Sequence, residues 1–240
     1  MSVLAEALSA TQALEGGINR QFRRLAWLGG AALSAGIALF SYRYLAKAGP
    51  VPPTAASNRH FDPWITVHAA GAATALLFGP AQFLPDMRRR WPAAHRAVGR
   101  IYVVGCLVGG SSALVLAAGI SSGPIAGAGF ATLGTAWLYA TAQGWRAGHK
   151  RRFPDHPRWM IRSFALTFSA VTLRTYMLGV GFAGGNMMKA YPAIAWLCWV
   201  PNVVLAEAYL RGTGRLYRIG SADRTGLRAP RRSYSRLGFR

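Results

Sequence analysis

The chain has 240 residues, of which 52% are hydrophobic and only 15% are charged, and its formal net charge is +21. Soluble domains usually carry about 25% charged residues, so the composition argues against an ordinary soluble protein. A net charge of this sign would also suit nucleic-acid binding. Here, however, the basic residues flank long apolar blocks, which argues against a nucleic-acid partner.

The two ends of the chain differ from the blocks between them. Residues 1–24 hold no apolar stretch preceded by a basic flank, so no cleavable signal peptide is expected. We interpret them as a cytoplasmic N-terminal segment, either a short surface helix or a mobile end. Residues 211–240 are rich in Gly, Ser and Arg without an apolar period. They are expected to form a basic cytoplasmic tail that is largely unstructured.

Residues 25–210 are predicted to form one membrane domain. A helix of about 20 apolar residues crosses a hydrocarbon core of roughly 30 Å, and the apolar blocks are continuous and do not alternate, which favours helices over barrel strands. The expected fold is therefore an all-α polytopic helix bundle with six transmembrane helices, in which spans two to five form a four-helix core. The six predicted spans are 25–46, 64–85, 97–120, 124–145, 159–183 and 191–210.

Short features in this domain predict how the helices connect and pack. The turn at 121–124, SSGP, is so short that spans three and four should be antiparallel neighbours. Glycines four residues apart let helix backbones approach closely in lipid. Three such pairs are expected to lie at helix contacts: Gly105 and Gly109, Gly123 and Gly127, and Gly181 and Gly185.

The basic residues also predict the orientation. If the N-terminus is cytoplasmic, the segments on the outer side of the membrane hold only four basic residues, Arg43, Lys47, Arg59 and Lys189. Cytoplasmic loops carry the excess of Lys and Arg in membrane proteins. The pattern therefore predicts an inner-membrane protein with both termini in the cytoplasm. The basic inner face is expected to attract anionic lipids.

Polar side chains within spans are costly, so each needs a partner or a function. Glu207 is the sole carboxylate in the six predicted spans, and we expect it to pair with Arg100 or Arg162. In the outer half of the membrane, His68 and Arg174 are expected to lie at similar depth. The candidate polar site at the inner side consists of Gln82, His95, Arg100, His156, Arg162 and Glu207. The alternative is that these residues only form a satisfied ion pair that holds the bundle together.

Three stretches carry a resemblance to a known family: HAAGAATALLFGPAQF (68–83), HRAVGRIYVVG (95–105) and HPRWMIRSFALTFSAVTLR (156–174). Together they resemble the domain-of-unknown-function 2306 family of predicted bacterial membrane proteins. The resemblance covers roughly residues 64–180. It implies a membrane helix bundle and supports the choice of polar residues.

Three functions are compatible with this pattern. The first is a cofactor-free membrane module. It would be an accessory subunit, in complex with a partner membrane protein or as a homo-oligomer, or it would bind a small molecule or lipid at the inner polar site. The second is a redox protein similar to cytochrome b561 that binds a quinone or one haem b. His95 and His156 would be the axial ligands, whereas His68 has no histidine partner on the third core helix. The third is a transporter, although neither a broken helix pair nor an inverted repeat is visible.

The sequence offers no catalytic motif and no metal-binding spacing. A single carboxylate in six spans leaves few groups for acid–base catalysis. The two cysteines, Cys106 and Cys198, fall in different spans and are expected to be small core residues.

Overall fold

The computed structural model describes residues 2–212, and the side chains of residues 21–212 except Arg23. The predicted tail at 211–240 therefore lies almost wholly outside the described residues. Within the described range all regular secondary structure is helical. The helices are α1 (Ser2–Ser41), α2 (Pro53–Ala56), α3 (Phe61–Phe78), α4 (Pro85–Arg90), α5 (Pro92–Ala118), α6 (Pro124–His149), α7 (Asp155–Thr167), α8 (Ser169–Phe182), α9 (Met187–Leu197) and α10 (200–212), with 3-10 turns at Tyr42–Tyr44 and Pro80–Phe83.

These helices coincide with the six predicted spans. Within the described residues, four segments are long and apolar enough to cross a membrane: Arg24–Tyr44, Phe61–Phe83, Pro92–Ala118 and Met187–Gly212. The predicted fourth span is α6, which is long enough but is diluted by Ala, Gly and Thr. The fifth is divided into α7 and α8, of 13 and 14 residues. The protein is an all-α membrane helix bundle.

The first predicted boundary does not coincide with a helix end. Helix α1 runs without interruption from Ser2 to Ser41, through the expected boundary at residue 24. The connection between α1 and α3 contains the single-turn helix α2. The turn before α6 is as short as expected, and α6 begins at Pro124, where a missing N–H removes no helical hydrogen bond.

The last two spans are both interrupted, although the sequence showed no broken helix pair. One break falls at Phe168, between α7 and α8, and the other follows α9 at Cys198. Pro201 contributes to the second break because it has no N–H for the helical ladder. The Asn202 amide bridges the two breaks: its Nδ2 donates to the carbonyl oxygens of Ala165 at 3.3 Å and Cys198 at 3.1 Å.

The core lies between α3, α5, α6 and α7, so the predicted four-helix core is confirmed. Helix α1 packs on the outside of α3, and α9 packs against α6 and α8. Both cysteines are buried and free, as expected. The buried apolar cluster between the four core helices consists of Ala75, Tyr102, Val103, Cys106, Trp137, Ala140 and Leu166.

Small residues produce one very close helix contact, between α3 and α5. A Cβ atom at Gly71 would lie 2.4 Å from the backbone nitrogen of Gly109, and one at Gly105 would lie 2.8 Å from the carbonyl oxygen of Gly71. The predicted role of Gly105 and Gly109 is therefore confirmed. The same prediction is wrong for Gly181, which has no atom of another helix within 4 Å.

Candidate functional site

The helix bundle has a basic end and an opposite end that carries few basic residues. The basic end carries α4 and the turn between α6 and α7, with Arg88–Arg90 and Arg151–Arg152. The opposite end carries residues 42–60 and 183–190. The predicted site residues fall at both ends, and the structure divides those at the basic end into two separate groups.

The first group at the basic end is an imidazole cluster made of Gln82, His95 and His156. The 3-10 turn after α3 places Gln82 beside the first turn of α5, which carries His95. His156 lies in the first turn of α7. This helix begins at Asp155, so Pro157 also falls in its first turn. Proline is tolerated there because first-turn N–H groups have no intrahelical partner.

The hydrogen bonds of this cluster define the protonation of each ring. His156 Nδ1 lies 2.8 Å from the carbonyl oxygen of Gly144, so Nδ1 carries the hydrogen and donates it. With the Gln82 amide oriented as its neighbours require, its nitrogen lies 3.3 Å from His95 Nδ1 and its oxygen accepts from the Gly99 N–H. His95 Nδ1 is therefore an acceptor.

In the neutral rings, the two Nε2 atoms consequently have opposite roles. His95 Nε2 carries a hydrogen and can donate it, whereas His156 Nε2 presents a lone pair and can accept. The two imidazoles are close enough to act on each other electrostatically, and Arg88 and Arg96 also act on His95. The basic end therefore presents one ring donor and one ring acceptor, with positive charge from Arg88 and Arg96 acting on the donor.

The second group at the basic end is an ion pair between Arg162 and Glu207. Arg162 donates from both Nε and Nη2 to the two carboxylate oxygens, with Nη2 at 3.0 Å from Oε2. The guanidinium also lies over the Trp159 ring, 4.8 Å from its centroid. The expected pairing of Glu207 is confirmed, and the partner is Arg162. The pair joins α7 to α10.

Arg100 does not join either group. Its side chain is exposed on the outer face of α5, and among the described residues it forms no hydrogen bond or ion pair. Its distance from the basic end allows the long side chain to reach the headgroup region. Arg100 therefore lies apart from both groups in this structure, and its membership of the polar site stays a prediction.

The remaining predicted residues, His68 and Arg174, lie toward the opposite end. His68 Nδ1 donates to the carbonyl oxygen of Gly109 at 2.9 Å, which leaves its Nε2 lone pair free. Arg174 donates to Ala170 O and to Ser41 Oγ, both at 2.8 Å. His68 and Arg174 are close enough to interact electrostatically, as their similar predicted depth implied.

Sequence reasoning missed a buried hydroxyl chain in the core. Tyr102 Oη lies 2.8 Å from Ser163 Oγ and 2.9 Å from Thr167 Oγ1, and Thr141 Oγ1 lies 2.7 Å from Ser163 Oγ. Trp137 Nε1 donates to Thr167. Thr141 Oγ1 donates to Trp137 O and Thr167 Oγ1 donates to Ser163 O, so within the chain Ser163 donates to Thr141 and Tyr102 donates to Thr167. Each member reads alone as a small or aromatic helix residue, and only the spacing of Ser163 and Thr167 on one face hinted at the chain.

A six-segment helical bundle with polar side chains buried between its helices defines a multi-pass α-helical membrane protein. The chain belongs to the family described as predicted membrane protein (DUF2306), which matches residues 65–210. The match begins at α3 and extends through α10, beyond the expected limit near residue 180. No curated protein and no solved structure matches the chain.

Proposed function

We propose that this membrane protein binds a small phosphorylated molecule or lipid headgroup at the imidazole cluster of the basic end. The observation that carries the proposal is the pairing of opposite ring forms at His95 and His156. A singly protonated phosphate ester has one O–H group and anionic oxygens. Its O–H would donate to His156 Nε2, and an anionic oxygen would accept from the His95 Nε2–H.

The surrounding charge supports an anionic ligand. Arg88 and Arg96 contribute positive charge at His95. The Arg162 and Glu207 pair is already satisfied, so its proposed role is to fix α7 against α10 and thereby hold His156 in place. The same site would serve an independent binder or an accessory subunit of a larger membrane assembly.

The proposed location follows from the distribution of basic residues. We place the protein in the bacterial inner membrane with its basic end and both termini in the cytoplasm, because Lys and Arg accumulate on that side. The imidazole cluster would then face cytoplasmic ligands and the inner leaflet, where anionic lipids are attracted by the flanking arginines.

The test is ligand affinity in mild detergent, with dioctanoyl phosphatidic acid as the probe and dioctanoyl phosphatidylcholine as the comparison lipid. We expect His95→Gln and His156→Gln each to raise Kd about tenfold, which is about 1.4 kcal/mol. The matched control is His149→Gln, because His149 is exposed at the same end and stacks only on Trp145. Equal affinity in the wild type and both site variants would refute the proposed site.

A b-type haem, the first alternative, does not fit the two histidines as arranged. Axial imidazoles normally ligate through a deprotonated nitrogen whose partner N–H is hydrogen-bonded. His156 has that arrangement, but His95 accepts from Gln82 at Nδ1, so its Nε2 keeps the hydrogen. The neighbouring core is also filled by the hydroxyl chain around Tyr102. The visible spectrum of the purified protein tests this: a Soret band with reduced α and β bands would support haem.

Transport, the second alternative, has one observation in its favour. Many transporters bind substrate where helices are interrupted, and here the fifth and sixth spans are both interrupted. The carbonyl oxygens at the breaks are however occupied by the protein itself, because Thr172 Oγ1 and Asn202 Nδ2 both donate to Cys198 O. The imidazole cluster therefore offers free hydrogen-bonding groups where the interrupted helices do not.

A further inference from the structure

Arg174 is a mostly buried cation on α8, in the half of the bundle away from the basic end. Its guanidinium makes two hydrogen bonds, to Ala170 O and Ser41 Oγ, and both partners are neutral. A guanidinium has five N–H donors. The charge and several donors of Arg174 are therefore not compensated by these contacts.

A second cation increases this excess. Arg43, in the turn after α1, acts electrostatically on Arg174. It donates to Pro50 O and to the Tyr44 hydroxyl and packs over the Phe40 ring, yet its own Nε is buried without a hydrogen-bond partner.

No carboxylate among the described side chains balances the two arginines. At this end of the described bundle, Asp62 is the acidic residue, and it pairs with Lys47 at 3.5 Å while more than half exposed. Buried charges in a membrane are normally paired or face a ligand or water-filled site. The local excess of positive charge therefore calls for an anion from outside the described side chains.

An apolar cavity of about 500 Å³ lies at the same end of the bundle as the two arginines. Met177 lines it and is three residues after Arg174, so both lie on one face of α8. Tyr191 of α9 acts electrostatically on Arg174, and Thr54 of α2 also lines the cavity. Most of the remaining lining is Pro and Met, from Pro52, Pro53, Met187 and Met188. A cationic group next to an apolar cavity matches the two parts of an anionic lipid.

His68 adds a further requirement on the ligand. Its Nδ1 is used by Gly109 O, so Nε2 presents a lone pair near Arg174. A lone pair repels an anionic oxygen and attracts a hydroxyl donor. The fitting headgroup therefore has both an anionic oxygen and a hydroxyl, as a glycerol phosphodiester does.

We infer that the bundle holds a second binding site, separate from the imidazole cluster, in which Arg174 and Arg43 bind the phosphate of a hydroxylated anionic phospholipid and the cavity beside Met177 takes part of an acyl chain. The phosphate oxygens accept from the free N–H groups of the two arginines. A headgroup hydroxyl donates to His68 Nε2.

The experiment follows thermal unfolding of the purified full chain in detergent by Trp fluorescence, with added dioleoyl phosphatidylglycerol or dioleoyl phosphatidylcholine. We expect phosphatidylglycerol to raise the Tm of the wild type more than phosphatidylcholine does, and we expect Arg174→Gln to remove most of this difference. Arg59→Gln is the matched control: Arg59 is exposed at the same end, and its replacement should leave the difference unchanged. A difference retained in full by Arg174→Gln would overturn the inference.

Arg174→Lys provides a second variant in case the neutral one does not fold. Lysine keeps the charge but lacks the planar fork that can bond Ser41, Ala170 and a phosphate together. It should need about tenfold more phosphatidylglycerol for the same rise in Tm, a change of about 1.4 kcal/mol. An unchanged lipid requirement would contradict the assigned role of Arg174.

A last arm distinguishes the source of the phosphate. Soluble glycerol 3-phosphate should give no comparable rise in Tm, because it has no chain for the cavity. An equal rise with the soluble compound would overturn the lipid assignment. His156→Gln, which removes the proposed site at the basic end, should leave the phosphatidylglycerol effect of the Arg174 site intact, so the two sites fail independently.

Discussion

The ion pair between Arg162 and Glu207 permits a quantitative prediction. Its two side chains are 23% and 31% exposed, and it makes two parallel hydrogen bonds. Opposite unit charges about 4 Å apart attract by about 4 kcal/mol at an effective dielectric constant near 20, before the desolvation of both groups is subtracted. Fully exposed pairs retain about 0.2–1 kcal/mol. For this partly buried pair we expect a coupling energy of about 1–2 kcal/mol.

The measurement is a double-mutant cycle of Glu207→Gln and Arg162→Gln. The free energy of unfolding would be obtained by titrating the purified protein in mixed micelles with SDS and following Trp fluorescence. The losses of unfolding free energy in the two single variants should add up to more than the loss in the double variant, because each single variant leaves one charge without its partner. Glutamine keeps the size of glutamate. The shortening of Arg162 and the loss of its Trp159 contact occur in both the single and the double variant, so they cancel in the coupling energy.

A second cycle at Arg152 and Asp155 is the control. That pair is 4.0 Å apart and about half exposed, so its coupling should lie between about 0 and 0.5 kcal/mol. The interpretation of the Arg162 pair would be refuted if its coupling energy did not exceed that of the control pair.

Three further predictions follow from the fold. Gly71→Ala should destabilise the bundle by several kcal/mol, because its Cβ would meet the α5 backbone. The control Gly179→Ala, whose Cβ would have nothing within 4 Å, should be neutral or up to about 1 kcal/mol stabilising. Unfolding in SDS compares the two variants. Tyr102→Phe should lower the free energy of unfolding by about 1–3 kcal/mol in the same assay, because two buried hydroxyls each lose a hydrogen-bond partner. The control Tyr139→Phe, at an exposed tyrosine whose ring packs edge-on against Trp159, should change stability by less than about 0.5 kcal/mol. A reporter that is active only outside the cytoplasm, fused after Arg240, should be silent; activity would reverse the proposed orientation.

Much of the architecture could be predicted from local sequence properties. Continuous apolar blocks near 20 residues long identify membrane helices because lipid leaves the backbone no other way to satisfy its hydrogen bonds. The short SSGP turn and the glycines at 105 and 109 likewise predicted real helix contacts. The candidate partners of Glu207 could be narrowed to two arginines, because a single carboxylate among the spans has few basic residues at its depth.

The tertiary structure decided which faces of those helices meet. It selected Arg162 over Arg100 as the partner of Glu207, because residues at similar depth can still point to opposite sides of a bundle. The helix break at Phe168 involves a side chain from another helix, because Asn202 Nδ2 donates to Ala165 O, whereas Pro201 marks the break at Cys198 in the sequence itself. The ring forms of His95 and His156 were likewise invisible in the sequence, since the proton on each imidazole is placed by a carbonyl or an amide of an earlier helical element.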